Sequence, residues 1–600
     1  MESLVDRNLP DRNQERRVNV RTSRHAYERR PARGFRYPVQ TAVAAVILGG
    51  LAVHGAAPVI TSGPSLALAP LAPLSCVLEL TTSDSVRVIV VVDDGLDGWR
   101  RDFFRYDTTH SIPLAGFRAD RDHAVQISVE NMAGEVTTAP TLLSFNPDPL
   151  PNDFPTITVL ANDPQRMEPG YTLFEVRAGA AFGGRHYGLA VNAAGEVIYY
   201  RTVRSGNDMR MLRNGDFLGT HGADATVQTD LLGNVVRQWF MTGGAHHDVY
   251  PTRHGTLLNL VRATRLVEGY PTSTSDPMAP PADADVITDI VYERSRDTGE
   301  ILNQWDLLDI IDPLRVGYDA VGTTPPHDWT HANAVYHDER DDSVVVSLRH
   351  QDAVVKFSRS TGELIWILGT HANWSPAFEP YLFEPVGEPF QWQYHQHAPE
   401  VTAAGTLLLF DNGNHRASPF DPAVPAEMSY SRAVEYALDE DNMQIQQIWE
   451  FGEDASPRLY ANFICDADSM DLTENVLITF GGIRNVDGIP VHNGVQARII
   501  EVTHTTPAEN VFEILIAEPD GSNPWGHSVY RSERIFDFYA KGDLDMDRDV
   551  DMDDLMTVLR GRNQLALSEL DPRDLDRDGQ VTVLDARMLV TLFYAGGPTE

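Results

Sequence analysis

The chain has 600 residues, 42% of them hydrophobic and 9% aromatic, and carries a formal net charge of −38. This length and composition are typical of a globular protein with several domains. The acidic excess argues against nucleic acid as a partner, because no basic face is evident beyond the N-terminus. Cys76 and Cys465 are the only cysteines, too few for a disulfide-based fold and without zinc-binding spacing. Whether they pair with each other stays open.

The first 61 residues have the pattern of a segment for export. Residues 1–39 contain ten arginines, and residues 42–53 form an uninterrupted apolar run. Twelve residues are short for a membrane span and suit the hydrophobic region of a signal peptide. An uncleaved anchor over residues 42–61 is the alternative. Either interpretation predicts a periplasmic or extracellular protein.

Two segments precede the longest region of the chain. Residues 62–84, rich in Pro, Ala, Ser and Leu, are interpreted as a linker. Residues 85–167 contain short apolar runs such as VRVIVVV and AVQISVE, separated by Gly, Asp, Asn and Pro. This pattern predicts a small N-terminal β-sandwich.

Residues 168–537 contain repeated pairs of hairpins. An inner hairpin such as HDVYPTRHGTLLNL is followed by an outer one such as FSRSTGELIWILG, whose last strand often carries Trp. Two hairpins make a four-stranded blade, and about six such units predict an all-β fold with a β-propeller. An array of β-sandwiches is the alternative, and the recurring Trp argues against it.

Residues 538–600 contain two acidic loops in the same phase, each followed by a hydrophobic helical pattern. Oxygen ligands that alternate along a tight loop, with a carboxylate at position 12, are what Ca²⁺ coordination requires. Arg548 stands in the first loop where Gly is usual. The duplicated loop resembles a type I dockerin, which implies bound Ca²⁺ and a cohesin-like partner protein. The predicted metal ligands are Asp543, Asp545, Asp547, Asp551, Asp554, Asp574, Asp576, Asp578, Thr582 and Asp585.

Three histidines occupy one repeated position in the inner hairpins. His247 and His397 each stand eight residues before the Gly of a Gly-Thr-Leu-Leu strand, and His331 precedes a third hairpin. Ser469 is near the same phase in a fourth repeat. Stacked repeats place equivalent positions at equivalent heights, so we expect these side chains to share one pocket.

Two further residues narrow the chemistry of that pocket. Asn333 follows His331 by two residues and shares its strand face, and Arg349 ends the same hairpin. A metal site could use three histidines, but an adjacent Arg is unfavourable for it. Acyl hydrolysis needs an activated Ser or Cys, and no Gly-x-Ser-x-Gly turn is suitably placed. Transfer of an anionic group fits best, with a neutral His as nucleophile and cationic donors on the anion.

The motifs HHDVY, HANAV, SLRHQDAVVKFSRSTGELIWILG and QHAPEV are similar to those of the bacterial arylsulfate sulfotransferase family. The resemblance covers roughly residues 90–535. It implies a six-bladed propeller that moves a sulfuryl group from an aryl sulfate to a phenol, without a nucleotide sulfate donor. It also implies that the His of a Gln-His motif is transiently sulfated, which selects His397, with His395 as its competitor. Residues matched to the family's site are His247, His331, Asn333, Arg349, Ser469 and, more weakly, Tyr530.

The expected reaction begins with attack of His397 on sulfur. His247, His331 and Arg349 then bind the sulfuryl oxygens, and His247 or His331 acts as general acid and base. We expect no metal in this step. Two alternatives stay open: an aryl sulfate hydrolase that uses water as acceptor, and a non-catalytic propeller that binds sulfated or phenolic ligands.

Overall fold

In a computed structural model of the protein, the described residues are 56–178, 185–203, 209–222, 224–241, 243–492, 494–517 and 526–595. The predicted signal or anchor segment lies almost entirely outside them. In the part of the chain that is described, no helix is long and apolar enough to cross a membrane.

The N-terminal domain is one hydrogen-bonded sheet of six strands. The strands are β1 (Ile60–Leu68), β2 (Ser75–Asp93), β3 (Gly98–Ala115), β4 (His123–Asn131), β5 (Val136–Thr138) and β6 (Leu143–Phe145). β2 pairs with β3 along its length, with β1 along its first half and with β4 along its second. Both halves of β2 contribute to one hydrophobic cluster.

Two sequence predictions are corrected here. The predicted linker, residues 62–84, belongs to β1 and β2, because Cys76, Leu78 and Leu80 alternate inward and are buried. The predicted small β-sandwich of residues 85–167 also starts earlier than predicted, because β1 and β2 begin at Ile60 and Ser75 and are hydrogen-bonded to its strands. Cys76 and Cys465 are free, buried thiols.

Six mainly antiparallel sheets follow in the described part of the chain, and we number them 1 to 6 in chain order. Sheet 1 contains β8 (Tyr171–Ala178), β9 (His186–Val191), β10 (Val197–Val203) and, from the far end of the domain, β35 (His527–Ile535). Sheet 2 contains β11 (Met209–Met211), β12 (Phe217–His221), β13 (Ala225–Thr229) and β14 (Val235–Phe240). Sheet 3 contains β15 (Ala245–Pro251), β16 (Thr256–Tyr270), β17 (Ala282–Ser295), β18 (Ile301–Asp306) and β19 (His327–Asp328).

The last three sheets are likewise built mainly from strands that follow one another in the chain. Sheet 4 contains β20 (Ala332–Asp338), β21 (Ser343–Leu348), β22 (Ala353–Ser358) and β23 (Leu364–Gly369). Sheet 5 contains β24 (Glu384–Pro385), β25 (His397–Val401), β26 (Leu407–Asp411), β27 (Arg432–Asp439) and β28 (Gln444–Phe451). Sheet 6 contains β29 (Leu459–Ala461), β30 (Asp466–Ser469), β31 (Val476–Val486), β32 (Ile489–Pro490), β33 (Gln496–Val502), β34 (Asn510–Ala517) and, at its edge, β7 (Thr156–Asn162).

β7 was predicted to belong to the N-terminal domain, but it pairs with β34 and closes the repeat region. A hydrophobic cluster joins sheet 1 to sheet 6. Neighbouring sheets also pack through the recurring Trp. A Cβ added to Gly299 would lie 3.2 Å from Cδ1 of Trp239, and one added to Gly362 would lie 3.1 Å from Cδ1 of Trp305. The fourth strand of one sheet therefore packs on the outer turn of the next, as expected for a propeller-like all-β fold.

The C-terminal region contains two helices, α1 (Met552–Gly561) and α2 (Val583–Ala595), and a short ladder of β36 (Gln564–Leu565) with β37 (Gln580–Val581). Its hydrophobic cluster includes Phe104 from β3. The guanidinium groups of Arg87 and Arg573 lie 4.9 and 4.7 Å from the centroid of the Phe104 ring. The C-terminal region is thus packed against the N-terminal sheet and is not a free tail.

Candidate active site

Three histidines lie at the start of the first strands of sheets 3, 4 and 5. His247 is the third residue of β15, His331 immediately precedes β20, and His397 opens β25. The φ angles of His247 and His331 are 56° and 45°, in the left-handed region that non-glycine residues seldom adopt. The ring of Tyr530, from β35, contacts two of these histidines: its centroid is 5.8 Å from that of His247 and 6.2 Å from that of His397. The predicted cluster is therefore formed by the fold.

His247 and His331 are in direct contact. Their Nε2 atoms are 3.1 Å apart, so one hydrogen lies between them. Nδ1 of His331 is 2.7 Å from Oδ2 of Asp328, which also accepts a hydrogen bond from Nη2 of Arg262 at 3.0 Å. Burial, followed by nearby positive groups, lowers the pKa of both histidines well below the usual value. Asp328 therefore orients the His331 ring, whose lowered pKa favours the neutral form.

His397 is held in one tautomer. Its Nδ1 lies 2.7 Å from Oδ1 of Asn412, whose Nδ2 donates to the carbonyl oxygens of Ala461 and Ile464. Because Nδ2 of Asn412 is committed as a donor, Oδ1 must accept from Nδ1–H of His397. Nε2 of His397 consequently keeps its lone pair. Burial and then the charge of Arg349 lower the pKa of His397 to about 3, so the ring is neutral.

His395 differs from His397 in charge. Its Nδ1 lies 2.7 Å from Oδ1 of Asp352, and its Nε2 lies 3.0 Å from Oδ2 of Asp319. Burial alone would lower the pKa of His395, but the two carboxylates overcome this and raise it. Both ring nitrogens act as donors, so His395 has no lone pair for attack on sulfur. The strand geometry could not separate the two residues, but their hydrogen bonds do.

Arg349 begins a single 3₁₀ turn, Arg349–Gln351, directly after β21. Its Nη1 donates to Nε2 of His350 at 2.7 Å and its Nη2 to the carbonyl of Asn462 at 3.2 Å. Nδ1 of His350 in turn donates to the carbonyl of Asp328 at 2.7 Å. Burial lowers the pKa of Arg349, but a guanidinium remains charged in proteins. A fixed cation thus lies beside the histidines.

Asn333 supports the site from behind. Its Nδ2 donates to the carbonyl of Gln396 at 2.9 Å, and its own carbonyl accepts from the Tyr530 hydroxyl at 2.7 Å. Asn333 is fully buried. Both residues were predicted to belong to the site, and these contacts tie the strands that carry the histidines together.

A sequence model of the family described as Arylsulfotransferase (ASST) matches residues 156–521. The chain belongs to the arylsulfotransferase family. It is 28% identical over 429 residues to arylsulfate sulfotransferase AssT of Escherichia coli O6:H1, a match that covers 60% of this chain and 68% of the relative. It is also 28% identical over 354 residues to arylsulfate sulfotransferase AssT of Lelliottia amnigena, covering 47% of this chain and 56% of the relative. These matches support an aryl sulfotransferase enzyme.

Similarity to solved structures is weak. A protein from Lactobacillus plantarum has a TM-score of 0.31 and 9% identity, and the match covers 58% of this chain and 81% of that one. An auxiliary nutrient binding protein from Bacteroides ovatus has a TM-score of 0.29 and 10% identity, and the match covers 76% and 94%. Neither contributes to the family assignment.

Within this arylsulfotransferase-family site, Ser469 is displaced from the predicted position. Its hydroxyl donates to Oε1 of Glu400 at 3.1 Å. His247 and His397 each stand four residues before the last paired residue of their strand, Pro251 or Val401. Counted in the same way in β30, which ends at Ser469, the equivalent residue is Cys465. The Gly-Thr-Leu-Leu motif is missing from this repeat, so the strand register, and not the motif, identifies the residue equivalent to His247 and His397.

Cys465 is buried and remains a thiol, since burial raises its pKa to about 12. Its Sγ accepts from the backbone N–H of Gly481 at 3.3 Å. The sequence prediction missed this residue and also Asn412 and Asp328. Asn412 directly follows β26, just as Arg349 directly follows β21. This equivalent position in the repeat could have identified Asn412 from the sequence. Asp328 is visible only as part of the motif HDWTHAN.

The two acidic loops of the C-terminal region share the same hydrogen bonds. Leu544 N donates to Oδ1 of Asp554 at 2.6 Å, and Leu575 N donates to Oδ1 of Asp585 at 2.7 Å. The backbone N–H of Arg548 donates to Oδ2 of Asp543 at 3.0 Å, and that of Gly579 to Oδ2 of Asp574 at 2.9 Å. The φ of Arg548 is 82°, close to the 86° of Gly579. Arg548 therefore adopts the conformation of the usual glycine.

Proposed function

We propose that this chain transfers a sulfuryl group from an aryl sulfate ester to a phenolic acceptor through a sulfohistidine at His397, without a nucleotide sulfate donor. In this proposal, sheets 1 to 6 are the six blades of one propeller, and the histidine site lies at their axis. The family assignment supports aryl sulfotransfer in general. The hydrogen bond from His397 to Asn412 carries the finer proposal, because it places the proton of a neutral imidazole on Nδ1 and leaves the lone pair on Nε2 as the nucleophile.

The first half-reaction forms a bond between Nε2 of His397 and sulfur and breaks the bond between sulfur and the aryl oxygen. Arg349 binds the equatorial sulfuryl oxygens, whose negative charge persists in the transition state. The aryl oxide takes a proton from the pair of His247 and His331. The charge of the bound sulfate ester favours the protonated form of this pair, and Asp328 stabilises it.

The second half-reaction reverses these changes. The acceptor phenol gives its proton to the histidine pair while its oxygen attacks sulfur and the bond to His397 breaks. The proton lost in the first half-reaction is thus regained in the second, and the cycle has no net proton change. The pair can accept and release the proton in this way once the charge of the bound sulfate ester offsets the burial that lowers the pKa of both histidines.

Trapping of the intermediate tests the proposal. The protein is incubated with 4-nitrophenyl sulfate without phenol, quenched at alkaline pH and digested. We expect a sulfuryl mass increment on the peptide that contains His397, and its loss after addition of phenol. An increment that maps to His395, or an unmodified peptide while one equivalent of nitrophenol is released, would contradict the covalent route through His397.

The pH dependence of the first half-reaction should reflect the low pKa of His397. The nucleophile must be unprotonated, and a pKa of about 3 keeps it so throughout the range in which an ordinary histidine with a pKa near 6.5 would become protonated. With 4-nitrophenyl sulfate, whose leaving group needs no proton, we expect kcat/KM to be flat between about pH 5 and pH 8. Stopped assays with far-UV circular dichroism as a folding control measure this. A decline toward acid pH that reaches half of the plateau near pH 6.5, and about thirtyfold by pH 5, would show that His397 titrates normally.

We further propose that each C-terminal loop binds one Ca²⁺. The donors fit this ion: Asp543, Asp545 and Asp554 place one oxygen each within 4.8 Å of one another, and Oδ1 of Asp545 is buried without a hydrogen-bond partner among the described residues. Burial and then the charge of Asp554 raise the pKa of Asp543 to about 7, because the carboxylates of this loop lie close together. The remaining candidate ligands of the second loop are Asp574, Asp576, Asp578, Thr582 and Asp585.

Replacing Asp585 with alanine should reduce the calcium stoichiometry from two to one, because position 12 closes the second loop. Isothermal titration calorimetry of the full chain measures the number of sites. Glu569→Ala is the matched control, since Glu569 is an exposed carboxylate outside the loops. Unchanged stoichiometry in Asp585→Ala, or loss of a site in Glu569→Ala, would count against the assignment.

The helices of this region present a surface to a partner. Met552 and Val583 occupy equivalent places at the starts of α1 and α2 and are 59% and 67% exposed. We propose that this surface binds a cohesin-like protein, while the opposite contact with Phe104 is internal to the chain. Size-exclusion chromatography with a cohesin domain and Ca²⁺ tests this, and the absence of any complex would refute it. The proposed export of the protein is tested by fractionation of cells that express it.

A further inference from the structure

His246 and His247 lie side by side although they are consecutive residues. Successive side chains of a strand point to opposite faces. Here the pairing of β15 with β16 shifts register between Ala245 and Val249, and the φ of His247 is 56°. The two rings consequently lie with centroids 4.1 Å apart, and that of His246 lies 5.1 Å from the ring of His331. The three imidazole rings therefore form one cluster.

We propose that His246, His247 and His331 form a binding site for a divalent transition metal of the zinc class. One ring nitrogen from each of the three lies within 4.8 Å of those of the other two. The Nε2 atoms of His247 and His331 are 3.1 Å apart. Two nitrogens bound to the same tetrahedral Zn²⁺ lie about 3.3 Å apart, since the Zn–N distance is about 2.0 to 2.1 Å. The observed spacing fits a shared metal with little movement.

The outer contacts of two of these rings, those of His246 and His331, are typical of metal ligands. Nδ1 of His246 lies 2.7 Å from Oδ1 of Asp289, and Nδ1 of His331 lies 2.7 Å from Oδ2 of Asp328. A carboxylate on one nitrogen fixes the ring and directs the other nitrogen, Nε2, toward a metal. The third ligand, His247, takes part through Nε2, the nitrogen that contacts His331.

The charges also favour a bound cation. Asp289 is fully buried, and besides His246 its carboxylate receives hydrogen bonds only from neutral donors among the described residues, Thr330 Oγ1 and the backbone N–H of Ala332, each at 2.7 Å. A buried carboxylate needs a positive partner. Arg262, whose Nη2 lies 3.3 Å from Nδ1 of His331, is already paired with Asp328. A metal on His246 supplies the positive charge that Asp289 requires.

The ligand type limits the metal. Three imidazoles suit Zn²⁺, Co²⁺, Ni²⁺ and Cu²⁺, whereas Ca²⁺ and Mg²⁺ prefer oxygen. Two of the three ligands, His247 and His331, are also residues of the proposed transfer reaction. Bound metal would occupy the nitrogens that handle the proton, so we infer that it inhibits transfer reversibly. Metal binding itself does not depend on the proposed function, but this inhibition does.

The test uses the full chain, freed of trace metals and supplied with Ca²⁺ so that the C-terminal loops are filled. Zn²⁺ is titrated calorimetrically, and Co²⁺ is added separately to record its visible ligand-field spectrum. We expect one Zn²⁺ per chain and a tetrahedral Co²⁺ spectrum without sulfur-to-metal charge transfer. The Co²⁺ spectrum of the unaltered protein reports the geometry and type of the ligands, so this part of the test does not depend on a variant that folds.

His246→Asn should weaken Zn²⁺ binding by at least about tenfold, since even loss of an outer-shell partner costs about 10- to 100-fold. His254→Asn is the control, because His254 belongs to a separate cluster with His337 and Asp342. Absence of Zn²⁺ binding, or equal affinity in His246→Asn and the unaltered protein, would overturn the site. If Zn²⁺ binds as expected but does not slow nitrophenol release, the site stands and the role of His247 and His331 in transfer fails.

Discussion

Replacing His397 with alanine is expected to lower kcat/KM for 4-nitrophenyl sulfate by about 10⁴-fold or more, because the variant lacks the atom that bonds to sulfur. The site otherwise stays assembled, since Asn412, the partner of His397, is also held by the carbonyl oxygens of Ala461 and Ile464. Initial rates of nitrophenol release with phenol as acceptor measure the effect. Circular dichroism and thermal unfolding show whether the fold is retained.

His395→Asn is the control that separates the two neighbouring histidines. His395 is bound by Asp319 and Asp352, so its loss disturbs the charge balance around Arg349 but removes no nucleophile. This variant should keep measurable turnover and should still be sulfated on His397. If instead His397→Ala releases nitrophenol at the normal rate while His395→Asn does not, the nucleophile has been assigned to the wrong residue.

The repeat architecture could be predicted from the sequence because its signal recurs. Each pair of hairpins shows the same alternation of apolar and polar residues, the same kind of turn and often a Trp. An ambiguous unit can therefore be assigned by comparison with the others. The domain boundaries had no such support. The residues just before Cys76, Leu78 and Leu80 are rich in Pro and Ser, which is typical of a linker. The alternation of buried and exposed residues that marks a strand is short here, so the composition suggested a linker instead. The pairing of β7 with β34 joins residues far apart in sequence and has no local signal.

For the candidate site, the positions of the histidines could also be predicted, whereas their protonation could not. The phase of His247, His331 and His397 follows from the repeat, and the structure places them together. Their protonation could not be predicted, because it depends on contacts between different sheets. Asn412 fixes His397 only since it is held by carbonyls of sheet 6 and the loop before β30. The raised pKa of His395 depends on Asp319, which is 76 residues away in the chain.

Replacing Arg349 with methionine is expected to lower kcat/KM by about 10²- to 10³-fold, the usual cost of losing one donor to a developing anion in a site without free water. Methionine keeps most of the length and apolar volume of the side chain while removing its charge. The partners left behind are neutral or partly exposed: Nε2 of His350, the carbonyl of Asn462 and the carboxylate of Asp319. The fold should therefore survive, and thermal unfolding verifies this.

Two further variants show what the guanidinium does. Arg349→Lys keeps the charge but loses the planar fork, so it should recover only part of the rate if two sulfuryl oxygens are bound at once. Arg340→Met is the control, since Arg340 is partly exposed and its partner Asp338 keeps Lys356 as a second cation, so kinetics should be unchanged. An increase in KM alone for Arg349→Met would mean that Arg349 holds the donor equally in ground and transition states. A fall in kcat would show that its contact strengthens as the sulfuryl group moves from oxygen to His397.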